Sequence, residues 1–192
     1  SLTPLPQTSN DAGIWQRYGA LWRAEPAQLQ AACSQGHADA FVCLRQSGTW
    51  RRLQRLNLPV LLQLEGAPQL LLLGLDEQHA LLFDGVQTHT VSREVVDEHW
   101  LGVYLAVAPG RQATLKVGES HGEIYRLKSM AAGIESLPYA GPIDERFDPS
   151  LEFWVKAFQQ RHGLHADGIV GSATRLYLIA EAINEPQLLE EW

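Results

Sequence analysis

Cysteine is scarce: the 192-residue chain has two, Cys33 and Cys43. That excludes a four-cysteine zinc site and a disulfide-dense scaffold. Two readings of the pair stay open, a reduced pair in a core or a single disulfide. The histidines at 37, 79, 89, 99, 121, 162 and 165 show no His-Glu-x-x-His or similar spacing, so no metal and no other cofactor is expected. Gly-rich phosphate loops, nucleophile elbows, internal repeats and low-complexity tracts are absent. Positive charge is also short, with 15 Lys and Arg against 22 Asp and Glu and a net charge of -7. Nucleic acid is therefore not expected as a partner, and the balance lends no support to an anionic membrane surface. No apolar run has the length of a membrane span. The leucine-rich stretch 58–75 is broken by Gln63, Glu65, Pro68 and Gln69, which reads as buried strands. No stretch reads as a signal peptide, and none is expected within these residues. The start, Ser1-Leu2-Thr3-Pro4-Leu5-Pro6, reads as a linker, so the chain is expected to be cut from something longer.

What is there divides by texture. Ile14, Trp15, Tyr18, Leu21 and Trp22 form a helical stripe over 11–24, with Pro26 expected to end it. A short helix over 27–34 and another over 49–56 follow, the latter turning Trp50, Leu53 and Leu56 inward and Arg51, Arg52 and Arg55 to solvent. Short apolar runs then alternate with turns: strands are expected at 59–64, 69–75, 79–83, 86–91 and 102–108, with Ser92 capping a short helix. A further strand at 113–117 would close this part. Helices followed by an antiparallel sheet give an α+β class. Beyond it, Ser120-His121-Gly122-Glu123 has the form of a capping box opening a helix with Ile124, Leu127 and Ala131 on one face.

The most legible stretch runs from Leu151 to Leu178. Leu151, Trp154, Val155 and Phe158 sit at i, i+3, i+4 and i+7 of an amphipathic helix. Asp148 is its expected N-cap, Pro149 its first residue and Gly163 its left-handed close. A tight loop, Asp167-Gly168-Ile169-Val170-Gly171, should turn Ile169 and Val170 inward. A last helix carries Leu176, Ile179, Ala180 and Ile183 and stops near Asn184 and Pro186. This order of Phe158-Gln159, Gly163-Leu164, Asp-Gly-Ile-Val-Gly and Thr174 resembles the small three-helix peptidoglycan-binding domain. The resemblance implies a shallow groove for glycan strands and stem peptides, with Gln159, Asp167, Gly168, Gly171, Thr174 and Tyr177 as candidate lining. Phe158, Ile169 and Val170 are expected in the core, Asp167 and Thr174 can equally serve the loop's own backbone, and His162 and His165 are expected at the surface.

Upstream, the order of elements resembles a degraded C39-like, papain-type cysteine peptidase. Cys33 stands near the nucleophile position, Gln69 about where the histidine belongs, and Asp84 at the carboxylate. An amide cannot take the thiol's proton near neutral pH, and His79 is a weak substitute. The expected fold is thus papain-like helices plus antiparallel sheet over 11–113, inactive as a peptidase, then a peptidoglycan-binding domain over 114–184. Together these resemble the periplasmic region of the GspA/ExeA family of type II secretion, supported also by the 56–62 and 100–104 segments. That resemblance implies a periplasmic location in an inner-membrane-anchored protein and binding to peptidoglycan. It further implies work with a GspB-type partner in inserting the outer-membrane secretin; homo- or hetero-oligomers stay open. It also favours a Cys33–Cys43 disulfide, a cross-link stabilising by roughly 3 kcal/mol in the chain-entropy model. The competing function is a cell-wall hydrolase or cysteine peptidase targeted by the same domain.

Overall fold

The computed structural model describes residues 3–35, 37–38, 40–111 and 113–192. The chain forms two compact units, one of residues 1–111 with 185–192, the other of residues 112–184.

The first unit opens with α1 (Asp11–Leu21), capped by the Asn10 side chain, and α2 (Pro26–Gln35). Pro26 starts α2 rather than ending α1: the first helix stops at Leu21, and proline's missing N–H costs nothing at a first helical position. Then come β1 (His37–Ala38), β2 (Phe41–Ser47), α3 (Trp50–Leu56), β3 (Val60–Leu64) and β4 (Leu70–Leu75). They are followed by β5 (His79–Phe83), β6 (Thr88–Ser92), α4 (Arg93–Asp97) and β7 (Trp100–Pro109). The seven strands make one sheet in the order β1-β2-β7-β3-β4-β5-β6, each neighbouring pair antiparallel. β2 is a strand that the sequence reading had not assigned. It lies along the long β7, with Cys43 opposite Val107.

Ile14, Trp15, Tyr18 and Leu29 from the helices close on Phe41, Leu61, Leu71, Leu73, Leu81 and Val107 of the sheet. Within this core the Tyr18 hydroxyl donates to the Pro59 carbonyl at 3.0 Å and accepts from the Val107 N–H at 3.0 Å. A buried phenol thus ties α1 to the entry of β3 and to β7. Burial pushes its pKa up. Two expected strands need correction. The one anticipated at 86–91 begins at Thr88, because the Asp84 carboxylate takes the N–H groups of Val86 and Gln87, both at 2.8 Å, as a turn. The segment 113–117 closes no part of this sheet. Leu115 instead exchanges two backbone bonds with Val170, at 3.0 and 2.8 Å, inside the second unit.

The last residues rejoin the first unit. Leu189 pairs with β4 beyond the start of β3, its N–H on the Leu73 carbonyl and its carbonyl taking the Leu75 N–H. Trp192 packs over Gly74, where a Cβ would meet its ring at 2.9 Å, and its indole N–H donates to Thr90 at 2.8 Å.

The second unit is three helices: α5 (Gly122–Ala132), α6 (Pro149–Arg161) and α7 (Ser172–Ala182). Asp148 caps α6 through the Leu151 N–H, Pro149 is its first residue, and Gly163 follows it with a φ of 68°. The capping box before α5 does not form. Ser120 and His121 spend their backbone pairing with Arg146 and Glu145, and the cap residue, His121, makes no side-chain cap bond. Ile124, Leu127 and Ala131 are buried as expected, and so is Lys128 in the same stripe.

Candidate functional site

The loop joining α6 to α7 is organised from one side chain. Gln159, in the last turns of α6, is 1% exposed. Its amide nitrogen donates to Asp167 Oδ1 at 3.0 Å, the Ile169 carbonyl at 2.9 Å and Thr174 Oγ1 at 3.0 Å. Its oxygen accepts the Gly168 N–H at 2.9 Å. The same Asp167 oxygen takes the Ile169 N–H at 2.9 Å. That N–H, opposed by the cost of burial and helped by Gln159, holds the Asp167 carboxyl below the usual carboxylate range. Four of the six candidate lining residues are therefore bonded to one another. The chemistry is that of a loop whose buried polar groups are satisfied internally.

Two expectations change accordingly. Gln159 and Tyr177 are among the candidate lining residues, yet both are buried, Tyr177 at 3% exposure. Gln159 is consumed by the loop, and Tyr177 lies against the His162 ring at a centroid distance of 5.0 Å. His162 is likewise interior: it also contacts the Phe158 ring and pairs with Glu181. His165 is exposed, and Ile169 is only half buried while Val170 is fully so. Thr174 is buried, Gly171 begins α7 in an extended conformation, and Asp167 is exposed.

Gly168 shows why this loop sits where it does. Its φ is 76°, and a Cβ there would meet Glu152 Cγ at 2.8 Å and Lys156 Cε at 3.1 Å. Glycine lets the loop backbone lie on the outer flank of α6. That flank carries Lys156, loosely paired with Glu152 at 3.8 Å, and Phe153, which is 78% exposed.

The opposite end of α6 is held by a lysine that the sequence reading passed over. Lys128 is 0% exposed, with Nζ 2.7 Å from Asp144 and 3.0 Å from Asp148 and its charge facing the Tyr139 ring. Burial works against its charge, but the two carboxylates outweigh it and raise the lysine's pKa. Burial likewise pushes Asp148 up. Bonds from Ser150, the Leu151 N–H and Lys128 overcome it and bring that carboxyl to about 2. The signal was available, since position 128 falls inside the stripe of Ile124, Leu127 and Ala131.

In the first unit, each of the peptidase-like positions has another partner. The Cys33 sulfur is bonded to Cys43, a disulfide joining α2 to β2 across a Cα separation of 4.8 Å. Gln69 accepts from the Gln63 amide at 2.6 Å. His79 faces Asp76 at 3.3 Å. Asp84, at the carboxylate position, meets His89 Nε2 at 2.8 Å, a histidine the sequence reading did not single out. Its place follows from register: Leu82 lies opposite His89 across the hairpin, which brings the imidazole over the Asp84 turn. Burial raises the Asp84 pKa, and the Gln87 N–H, His89 and the Val86 N–H more than offset it. Among the described residues no group of three His, Cys, Asp or Glu could hold a metal, and no helix is long and apolar enough to cross a membrane.

Comparison with known proteins meets this geometry at both units. A family model for the peptidoglycan binding domain matches residues 131–177, which include the Gln159 network. A general secretion pathway protein A of Escherichia coli (strain K12) is 28% identical over 170 residues, covering 84% of this chain and 34% of that protein. The Aeromonas hydrophila general secretion pathway protein A is 26% identical over 176 residues, covering 89% and 32%. The chain thus spans about a third of the length of these curated relatives. A periplasmic domain of the EpsAB fusion protein of the Vibrio vulnificus type II secretion system has the same fold. Its TM-score is 0.64 at 23% identity, over 97% of this chain and 94% of that one.

Proposed function

We propose that this chain, which resembles the periplasmic region of the general secretion pathway A proteins, is a non-catalytic wall-binding region of a type II secretion assembly factor. The observation that carries this is the Gln159 network. The residues that match the peptidoglycan-binding family model fold into a closed, satisfied loop resting on an exposed helix flank. On this reading Gln159 and Thr174 shape the loop, and Tyr177 supports it from behind. Contact with glycan and stem peptide falls to Asp167, the backbone from Gly168 to Gly171, and the flank with Phe153 and Lys156. An exposed aromatic face suits the apolar side of a sugar ring, and a lysine suits a stem-peptide carboxylate.

The first unit acts as scaffold. Its Cys33 is tied up in a disulfide and Gln69 offers no base, which supports a peptidase fold without peptidase chemistry. A periplasmic location agrees with that disulfide and with the compartment named for the EpsAB relative. Anchoring in the inner membrane, a GspB-type partner and a part in secretin insertion complete the proposal.

Sedimentation with purified peptidoglycan tests it. The chain should pellet with the wall and release no muropeptides, and Phe153→Ala should weaken pelleting without lowering the melting temperature. A chain that stays in the supernatant, or one that digests the wall, would overturn the reading.

A further inference from the structure

One cavity in the first unit has a chemistry that neither the fold nor the signature loop uses. It measures about 300 Å³ and is lined by Thr49, Arg51, Arg52 and Arg55, from α3 and its cap. Thr49 caps the helix by accepting the Arg52 N–H. The Arg52 stem lies against Gly48, where a Cβ would meet its Cγ at 2.8 Å, so that side chain is held along the rim. Arg51 and Arg55 are exposed and four residues apart, on one face. Neither has an ion pair or hydrogen bond among the described residues.

Local electrostatics opposes this arrangement. Like charges at i and i+4 repel, and α3 has two arginines but no acidic residue in its first turn, where the helix dipole disfavours cations. Of the three arginines only Arg55, in the last turn, is placed favourably by the dipole, and Arg51 gains nothing from its position. The three charges are concentrated, moreover, in a chain whose net charge is -7. An acidic protein is on average repelled by an anionic polymer, and attraction then needs a local cationic site. Guanidinium groups suit planar, bidentate pairing with carboxylates.

We propose that this arginine pocket binds the free carboxylates of peptidoglycan stem peptides, as a second wall contact on the first unit. The inference rests on the wall-binding reading above. Two modest contacts on one chain would reinforce each other through effective concentration.

The test uses the whole chain and purified peptidoglycan, native or with its carboxylates amidated. R51Q/R55Q should bind native wall about tenfold more weakly than wild type at low salt, the loss of charge-assisted bonds. Its salt dependence should also be flatter. Amidation should weaken the wild type's binding severalfold more than the variant's, which keeps only the Lys156 contact to lose. The variant's melting temperature should hold or rise, because a repulsion has been removed. Phe153→Ala should weaken binding to both walls, which separates the two contacts. Equal binding of wild type and R51Q/R55Q overturns the arginine pocket alone, as does an equal loss on native and amidated walls. A wild-type chain that pellets with neither wall overturns this inference and the wall-binding reading together.

Discussion

Lys128 and Gln159 are two buried polar side chains in the second unit, each bonded into one end of α6. Lys128→Met should remove about 3 kcal/mol from that unit's stability, because it leaves Asp148 without its cation in a largely buried place. Urea denaturation reads the loss. The acid limb follows from the sign of the Asp148 shift. Its folded pKa, about 2, lies below the ordinary carboxylate value, so its contribution is fully present above about pH 4 and is lost as pH falls toward 2. That contribution is about 2 kcal/mol, and the gap between wild type and Lys128→Met should narrow over the same window. Gln159→Ala should cost about 2 kcal/mol, since it strands the Gly168 N–H and the Ile169 carbonyl together. The sequence marked Gln159 as important but pointed it the wrong way. Residue type and spacing reveal that an amide stands in a motif, not whether it faces ligand or loop. His162 and Tyr177 went astray for the same reason: helical period fixes a face only where apolar neighbours define it.

At the scale of elements, α1, α3, α6, α7 and the strands from β3 to β5 were legible because their apolar residues keep one period and turn residues bound them. β2 was not. Phe41-Val42-Cys43-Leu44 is buried on every side chain, a run too short and continuous to show any period. It is also the strand that the disulfide fastens to α2. Cys33→Ser with Cys43→Ser should lower the first unit's stability by roughly 3 kcal/mol. Denaturation midpoints with and without reductant should differ by the same amount in the wild type and not at all in the variant. Tyr18→Phe should cost about 1–3 kcal/mol by orphaning the Val107 N–H and the Pro59 carbonyl.

The whole molecule has a first unit whose chain is interrupted. Residues 112–184 form the second unit, and residues 185–192 return to complete the first. Nothing in the sequence announced that return, since Leu188, Leu189 and Trp192 make a run too brief for any pattern, and their partner is a gap left by Gly74. Trp192→Ala should therefore destabilise the first unit and leave the second untouched, a difference that amide hydrogen exchange resolves unit by unit. Order of synthesis gives the feature a further meaning. A ribosome delivers residues 1–111 before those of the second unit, and those before the Trp192 that covers Gly74. The later unit can close on itself while the earlier one still waits for its last piece, so maturation of the scaffold is timed by completion of the domain inserted within it.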